Sequence, residues 1–141
     1  GVFLISKQDL TLNQIIEYFV SQNDEQFIVQ KYLPEITKGD KRIILIDGCP
    51  VGAISRVPGK NEIRSNIHVG GIAKKTSISK TDKIICDTIG PELKKRKLFF
   101  VGIDIIDKYL IEINVTSPTC IREIKEISKV DIAKIIWNKL A

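Results

Sequence analysis

The stretch VGIDIIDKYLIEINVTSPTCIREI, residues 101–124, decides how the rest of the chain is read. Two runs rich in isoleucine and valine flank Asp107-Lys108, and such runs favour extended strands joined by a turn. Side chains alternate across a strand, so Leu110, Glu112 and Asn114 share one face while Ile111, Ile113 and Val115 share the other. Asp104 falls on a face with Gly102 and Ile106. An odd-length loop centred on Lys108 would set Asp104 opposite Glu112 and Gly102 opposite Asn114. Directly opposed carboxylates destabilise a strand pair, so a positive group is expected between them. Two carboxylates and an amide oxygen are hard donors that hold magnesium while leaving positions for water and phosphates, and Gly102 would leave that space open. The same pattern also fits a half-exposed sheet whose acids point to solvent and pair with lysines.

Working outward, Pro118 should end the second strand, residues 119–127 can turn helically, and residues 130–140 place Ile132, Ile135, Ile136 and Leu140 at helical spacing. Upstream, a helix is expected from Ser79 or Thr81, with Ile84, Ile85, Thr88, Ile89 and Leu93 on one face and Gly90-Pro91 bending or dividing it. Lys94, Lys95, Arg96 and Lys97 then read as a solvated helix end. Residues 41–46 and 51–57 are β-rich and joined across Asp47-Gly48, a strong hairpin signal. Residues 27–33 read as a strand ended by Pro34, and residues 37–40 as a turn. Nearer the start, residues 2–6 suggest a short strand. Thr11-Leu12-Asn13-Gln14 has capping-box spacing ahead of a helix with Leu12, Ile15, Ile16, Phe19 and Val20 on one face. Residues 58–75 are glycine-bearing, basic and aperiodic, which predicts a long functional loop. The sum is an α+β domain, a largely antiparallel sheet with helices packed on it.

A chain of 141 residues can bury one real core, and 43% hydrophobic with 28% charged residues excludes a disordered tail. No apolar run approaches the ~20 residues that cross a bilayer, so a cytoplasmic protein without membrane contact is expected. Cys49, Cys86 and Cys120 lack metal-site spacing and read as reduced thiols, Cys120 as packing. The net charge of +5 is scattered among acids and accompanied by 6% aromatics, which argues against nucleic acid and leaves phosphate-bearing small anions as partners. The sequence holds no methionine, so it is expected to be part of a longer polypeptide.

VGIDII followed by LIEINVTSPTCIREI resembles the C-terminal ATP-binding domain of bacterial glutathione synthetases, members of the ATP-grasp superfamily. QKYLPEITKGDKR, ISRVPGKNEIRSNIHVGG and IGPELKKRKLFFVGIDII resemble the same family in the same order. The resemblance implies an ATP-grasp fold in which residues 1–33 end the smaller ATP-binding subdomain and residues 34–141 form the larger one, the N-terminal substrate domain being absent. It implies ATP-dependent ligation of gamma-glutamylcysteine to glycine through an acyl phosphate, with Mg2+ or Mn2+ as cofactor. Asp104, Glu112 and Asn114 would hold the metal. Gln30, Lys31, Tyr32 and Leu33 would carry the adenine, with Asp40 and Arg42 near the nucleotide, where an arginine fork suits phosphate. Arg56 and Arg64 would act on the reacting groups, the latter in a lid over residues 58–75 with Gly70 and Gly71 at its base. Asn66, Ser117, Pro118 and Thr119 would bind the peptide substrate. The lid reads PGKNEIRSN where many relatives carry more glycine, and Ile72 follows Gly71 where a basic residue is common. The family's phosphate-binding lysine and glycine loop would precede Gly1, so the 141 residues alone are expected to be inactive. Two other readings stand beside this one: a different ATP-grasp carboxylate-amine ligase, and a non-enzymatic basic module binding nucleic acid. Homo-oligomerisation of the longer protein stays open.

Overall fold

The computed structural model describes residues 4–5, 12–22, 28–59 and 71–141. The chain divides into two compact units, Gly1–Leu33 and Pro34–Ala141. In the first, helix α1 (Leu12–Gln22) forms as its apolar spacing predicts, while the expected capping residue Thr11 lies outside the described residues. The strands expected over residues 2–6 and 27–33 do not appear in their described parts. Residues 28–33 run without regular structure, and Ile28 and Val29 are more than four-fifths exposed. No described strand pairs with them, and β propensity without a partner to pack on does not make a strand.

The second unit begins with a single 3-10 turn, Pro34–Lys38, and continues into a five-stranded sheet of order β3-β2-β1-β4-β5, antiparallel throughout. Its strands are β1 (Asp40–Ile46), β2 (Cys49–Val57), β3 (Ile72–Lys75), β4 (Phe100–Ile106) and β5 (Tyr109–Asn114). Asp47 and Gly48 turn β1 into β2 with φ of 51° and 69°, the primed geometry that matches strand twist. Strand β3 was not foreseen: it occupies the end of what reads as a loop, and its polar IAKK sequence is that of a short, lysine-guarded edge.

The register between β4 and β5 agrees with the expectation by a different route. The turn is two residues, Asp107-Lys108, which alone would set Asp104 against Ile111. A bulge after the Ile105–Leu110 pair adds one residue to β5 and returns Asp104 to Glu112 and Gly102 to Asn114. Strands β1 and β2 repeat the device, with Leu45 opposite Pro50 and Ile44 opposite Gly52.

Helix α2 (Lys80–Lys95) covers one face of the sheet over a core of Ile43, Leu45, Ala53, Cys86, Leu93, Val101, Ile103 and Ile105. Ser79 caps it with a full capping box to Asp82, and Asp82 also accepts from Lys41 Nζ of β1 at 2.6 Å. The helix runs unbroken through Gly90-Pro91, contrary to expectation. Pro91 lies on the exposed side, and Gly90 lets the helix backbone approach the hairpin turn, where a Cβ would stand 2.6 Å from the Gly48 carbonyl oxygen. Ile84 and Thr88, assigned above to the apolar face, are exposed instead. Helices α3 (Ile121–Ser128) and α4 (Ile132–Leu140) cover part of the other face, over Ile44, Ile46, Ile54, Cys120, Ile124 and Ile132.

Candidate functional site

The sheet face that carries α3 and α4 changes character along its strands. On β1 the inward residues run Asp40, Arg42, Ile44, Ile46, so one end of the face is apolar and the other ionic. Register supplies the partners: Asp40 lies opposite Arg56, Arg42 opposite Asp104, and Asp104 opposite Glu112. The expected positive group between the acids is thus protein. Arg42 grips Asp104 with both arms of its fork, Nε to Oδ1 at 2.7 Å and Nη2 to Oδ2 at 2.6 Å. Arg56 does the same to Asp40 and reaches Asp104 Oδ2 at 2.9 Å. All four side chains are buried, at 6% exposure or less, and their charges cancel. Burial pulls the Arg56 guanidinium down, but the bonds and charges of Asp40 and Asp104 outweigh it and raise it further. A buried charge pair keeps its partners fixed because losing either strands the other.

Glu112 lies at the exposed rim of this cluster. Partial burial, then the negative charge of Asp104, raises its carboxyl above the ordinary 4.5, with Arg42 and Arg56 opposing. The Asn114 amide, oriented by its neighbours, donates to Glu112 Oε1 at 3.0 Å and accepts from Arg42 Nη2 at 3.1 Å. Asp104, Glu112 and Asn114 therefore converge on one face. The space over Gly102 is not open: a Cβ there would lie 2.7 Å from Pro118 Cβ, so the glycine seats the loop ahead of α3. That seat brings Thr119 Oγ1 to 3.0 Å from Arg42 Nη1. Ser117, at φ 50°, and Cys120, at φ 83°, hold left-handed conformations on either side of it.

These donors fit a hard divalent cation. Glu112 offers exposed carboxylate oxygens, held above their usual pKa by partial burial and then by the like charge of Asp104, which a cation would relieve. Asp104 Oδ1 accepts from Arg42 Nε. No group of three or more histidine, cysteine or acidic residues is placed to hold a metal among the described residues, so the set is two carboxylates and an amide.

Arg64 and Asn66 lie outside the described residues. Gln30, Lys31, Tyr32 and Leu33 belong to the first unit, where the first three are exposed and Leu33 is half-buried. Arg42's fork, reserved above for phosphate, is closed on Asp104. The Thr119 link and the seating of Pro118 were missed in the sequence; the G-x-D alternation at Gly102 and Asp104 marked the strand face without showing what covers it. All three cysteines are free, Cys49 exposed and the others buried. Burial, then Asp82 and Asp87, push Cys86 up to about 11.

Two solved structures share the architecture. D-alanine--D-alanine ligase from Bacillus anthracis, complexed with ATP, superposes with a TM-score of 0.53 at 12% identity, covering 90% of this chain and 46% of that one. The ATP-grasp ligase PsnB, complexed with minimal precursor, gives 0.51 at 21%, covering 72% and 33%. The fold is that of the ATP-grasp class.

Residues 1–129 match the family model for the prokaryotic glutathione synthetase ATP-grasp domain, and the chain belongs to that family. It is 49% identical over 138 residues to glutathione synthetase of Mesorhizobium japonicum, covering 98% of this chain and 44% of that protein. With those of Agrobacterium fabrum and Brucella melitensis it shares 46% and 48%, again spanning 44% of each. The chain spans less than half the length of these curated relatives.

Proposed function

We propose that the protein to which these residues belong is a glutathione synthetase, joining gamma-glutamylcysteine to glycine with conversion of ATP to ADP and phosphate, in the cytoplasm. Family membership supports the reaction. The observation that carries the site is the Asp104–Glu112 register, which with Asn114 gathers three oxygen-bearing side chains on one sheet face beside two guanidinium groups. In this reading the cysteinyl carboxylate of the dipeptide takes the terminal phosphoryl group of ATP, giving an acyl phosphate and ADP. The amine of glycine then displaces phosphate, forming the amide and releasing a proton.

Asp104, Glu112 and Asn114 would hold Mg2+ or Mn2+, which when bound neutralises charge on the phosphate oxygens. Asp40, Arg42 and Arg56 make the charged floor that orients Asp104. Ser117, Pro118 and Thr119, with Asn66, would receive the dipeptide, and a helix start beside such a loop favours a carboxylate. Gln30 to Leu33 would carry the adenine, and Arg64 would close over the reacting groups to exclude water. In this reading residues 1–33 belong to the end of the smaller ATP-binding subdomain and residues 34–141 to the larger, metal- and substrate-binding one.

The test is the full-length protein with ATP, Mg2+, gamma-glutamylcysteine and glycine, followed by chromatography of the product. Glutathione and ADP in equal amounts are expected; another amide product would assign a different ligase. Glu112→Gln should abolish magnesium-dependent turnover. It should leave the thermal midpoint in metal-free buffer at or above that of the parent, because it removes a charge that the fold disfavours at neutral pH.

A further inference from the structure

Arg42 touches more of this site than a phosphate ligand would need to. Its Nε and one Nη2 hydrogen go to Asp104, the other Nη2 hydrogen to Asn114 Oδ1, and one Nη1 hydrogen to Thr119 Oγ1. Arginine has about five N–H groups, so a single one is left, too few for the paired grip that makes arginine selective for phosphate. The side chain is also 6% exposed, with its plane fixed by Asp104 on one side.

We infer that Arg42 is a positioning residue that ties the Asp104 carboxylate to the Thr119 hydroxyl, so that one guanidinium sets both the cation-facing acid and the loop before α3. The loop needs such a tie. Ser117 and Cys120 each hold a left-handed conformation without being glycine, at φ 50° and 83°, and such conformations persist only where surrounding contacts over-determine them. Helix α3 brings no side-chain cap of its own to fix its start. Pro118 over Gly102 and the buried Cys120 hold the loop to the sheet by packing, and Thr119 on Arg42 adds a directional contact. Asp104 gains from the same side chain, since a ligand whose orientation is set from behind binds metal without first paying to be ordered. This inference rests on the reading of Asp104 as a cation ligand.

The experiment uses the full-length protein and three substitutions. Arg42→Lys keeps the charge but replaces a planar fork with one ammonium nitrogen, which cannot span Asp104 and Thr119. Thr119→Val removes the hydroxyl at an exposed position and Thr119→Ser restores it. Mn2+ affinity is measured by electron paramagnetic resonance titration without nucleotide, and the ATP KM separately. Loss of an orienting partner of a metal ligand typically weakens metal binding about tenfold or more, and that is expected for Arg42→Lys with the ATP KM unmoved. Thr119→Val should weaken Mn2+ binding by less, Thr119→Ser should restore it, and Thr119→Val added to Arg42→Lys should cost nothing further, because both break one link.

An Arg42→Lys protein with parental Mn2+ affinity and a raised ATP KM would make Arg42 a phosphate ligand and overturn the inference. Should Arg42→Lys fail to fold, the threonine pair decides, and equal Mn2+ affinity in parent and Thr119→Val overturns it. The expected Mn2+ pattern in a protein that makes no glutathione would support the positioning role and sink the activity; glutathione formation with flat Mn2+ affinities would do the reverse.

Discussion

Burying a lone carboxylate costs far more than any single contact returns, so Asp104 within VGIDII has to be paired. It is paired twice, by Arg42 and Arg56, and these come from strands remote in sequence; Arg42 is 62 positions away. The alternation of side chains placed Asp104, Glu112 and Asn114 on one face from the sequence alone. The arginines that neutralise the face were not legible, because cross-strand pairing between β1 and β4 is a long-range choice that no local pattern records. Gly102 shows the same limit: its spacing marked the correct face, but the Pro118 ring that fills the space above it is visible only in three dimensions. Gly102→Ala should therefore be an overpacking change. With the new methyl 2.7 Å from Pro118 Cβ, a loss of roughly 1 to 3 kcal/mol is expected in urea unfolding, together with weaker Mn2+ binding as the loop lifts. A stability equal to the parent would mean that the loop is free to move, and the positioning of Thr119 would lose its support.

Among the elements, those with strong local signals were readable and those made by pairing were not. The Asp47-Gly48 hairpin follows from a turn whose two central residues both take positive φ, and α2 from the Ser79 capping box. Strand β3 carries no hydrophobic alternation and exists because β2 offers it an edge. The bulges after both two-residue turns likewise leave no mark in composition, yet the one in β5 is what brings Glu112 opposite Asp104. Helix α2 is anchored to the sheet by Asp82, which accepts from Lys41 and from the Ser79 amide while 1% exposed. Burial pushes its carboxyl up, but these bonds outweigh burial and hold it below the ordinary 3.8. A depressed carboxyl contributes stability above its unfolded pKa and loses it as pH falls through the folded value. Asp82→Ala should thus cost about 1 to 3 kcal/mol at pH 7, the range for a lost cap plus a charge-assisted bond, with the gap to the parent closing below about pH 4. Thermal unfolding of both proteins across that pH range checks the sign; a gap that widened in acid would contradict the anchoring role.

For the molecule as a whole, both apolar clusters, the ionic face and every described strand lie within Pro34–Ala141. The first unit contributes α1 and an irregular segment, with exposed large apolar side chains in both, among them Val20 in the helix and Ile28 and Val29 in the segment. Local pattern did not show this division, since the runs read as strands before Pro34 also carry isoleucine and valine, and the presence of pairing partners separates the two. A domain with a sheet covered on both faces and about 100 residues is large enough to bury a self-sufficient core. Residues 34–141 produced without the first unit should therefore unfold cooperatively, with coincident transitions by circular dichroism and Trp137 fluorescence. The same piece should bind Mn2+ through Asp104, Glu112 and Asn114 and lose that binding in Glu112→Gln, while showing no ATP turnover. A non-cooperative transition would mean that the first unit completes the core. Cooperative folding without Mn2+ binding would mean that the sheet face alone does not make the cation site and that further donors from the longer protein are required.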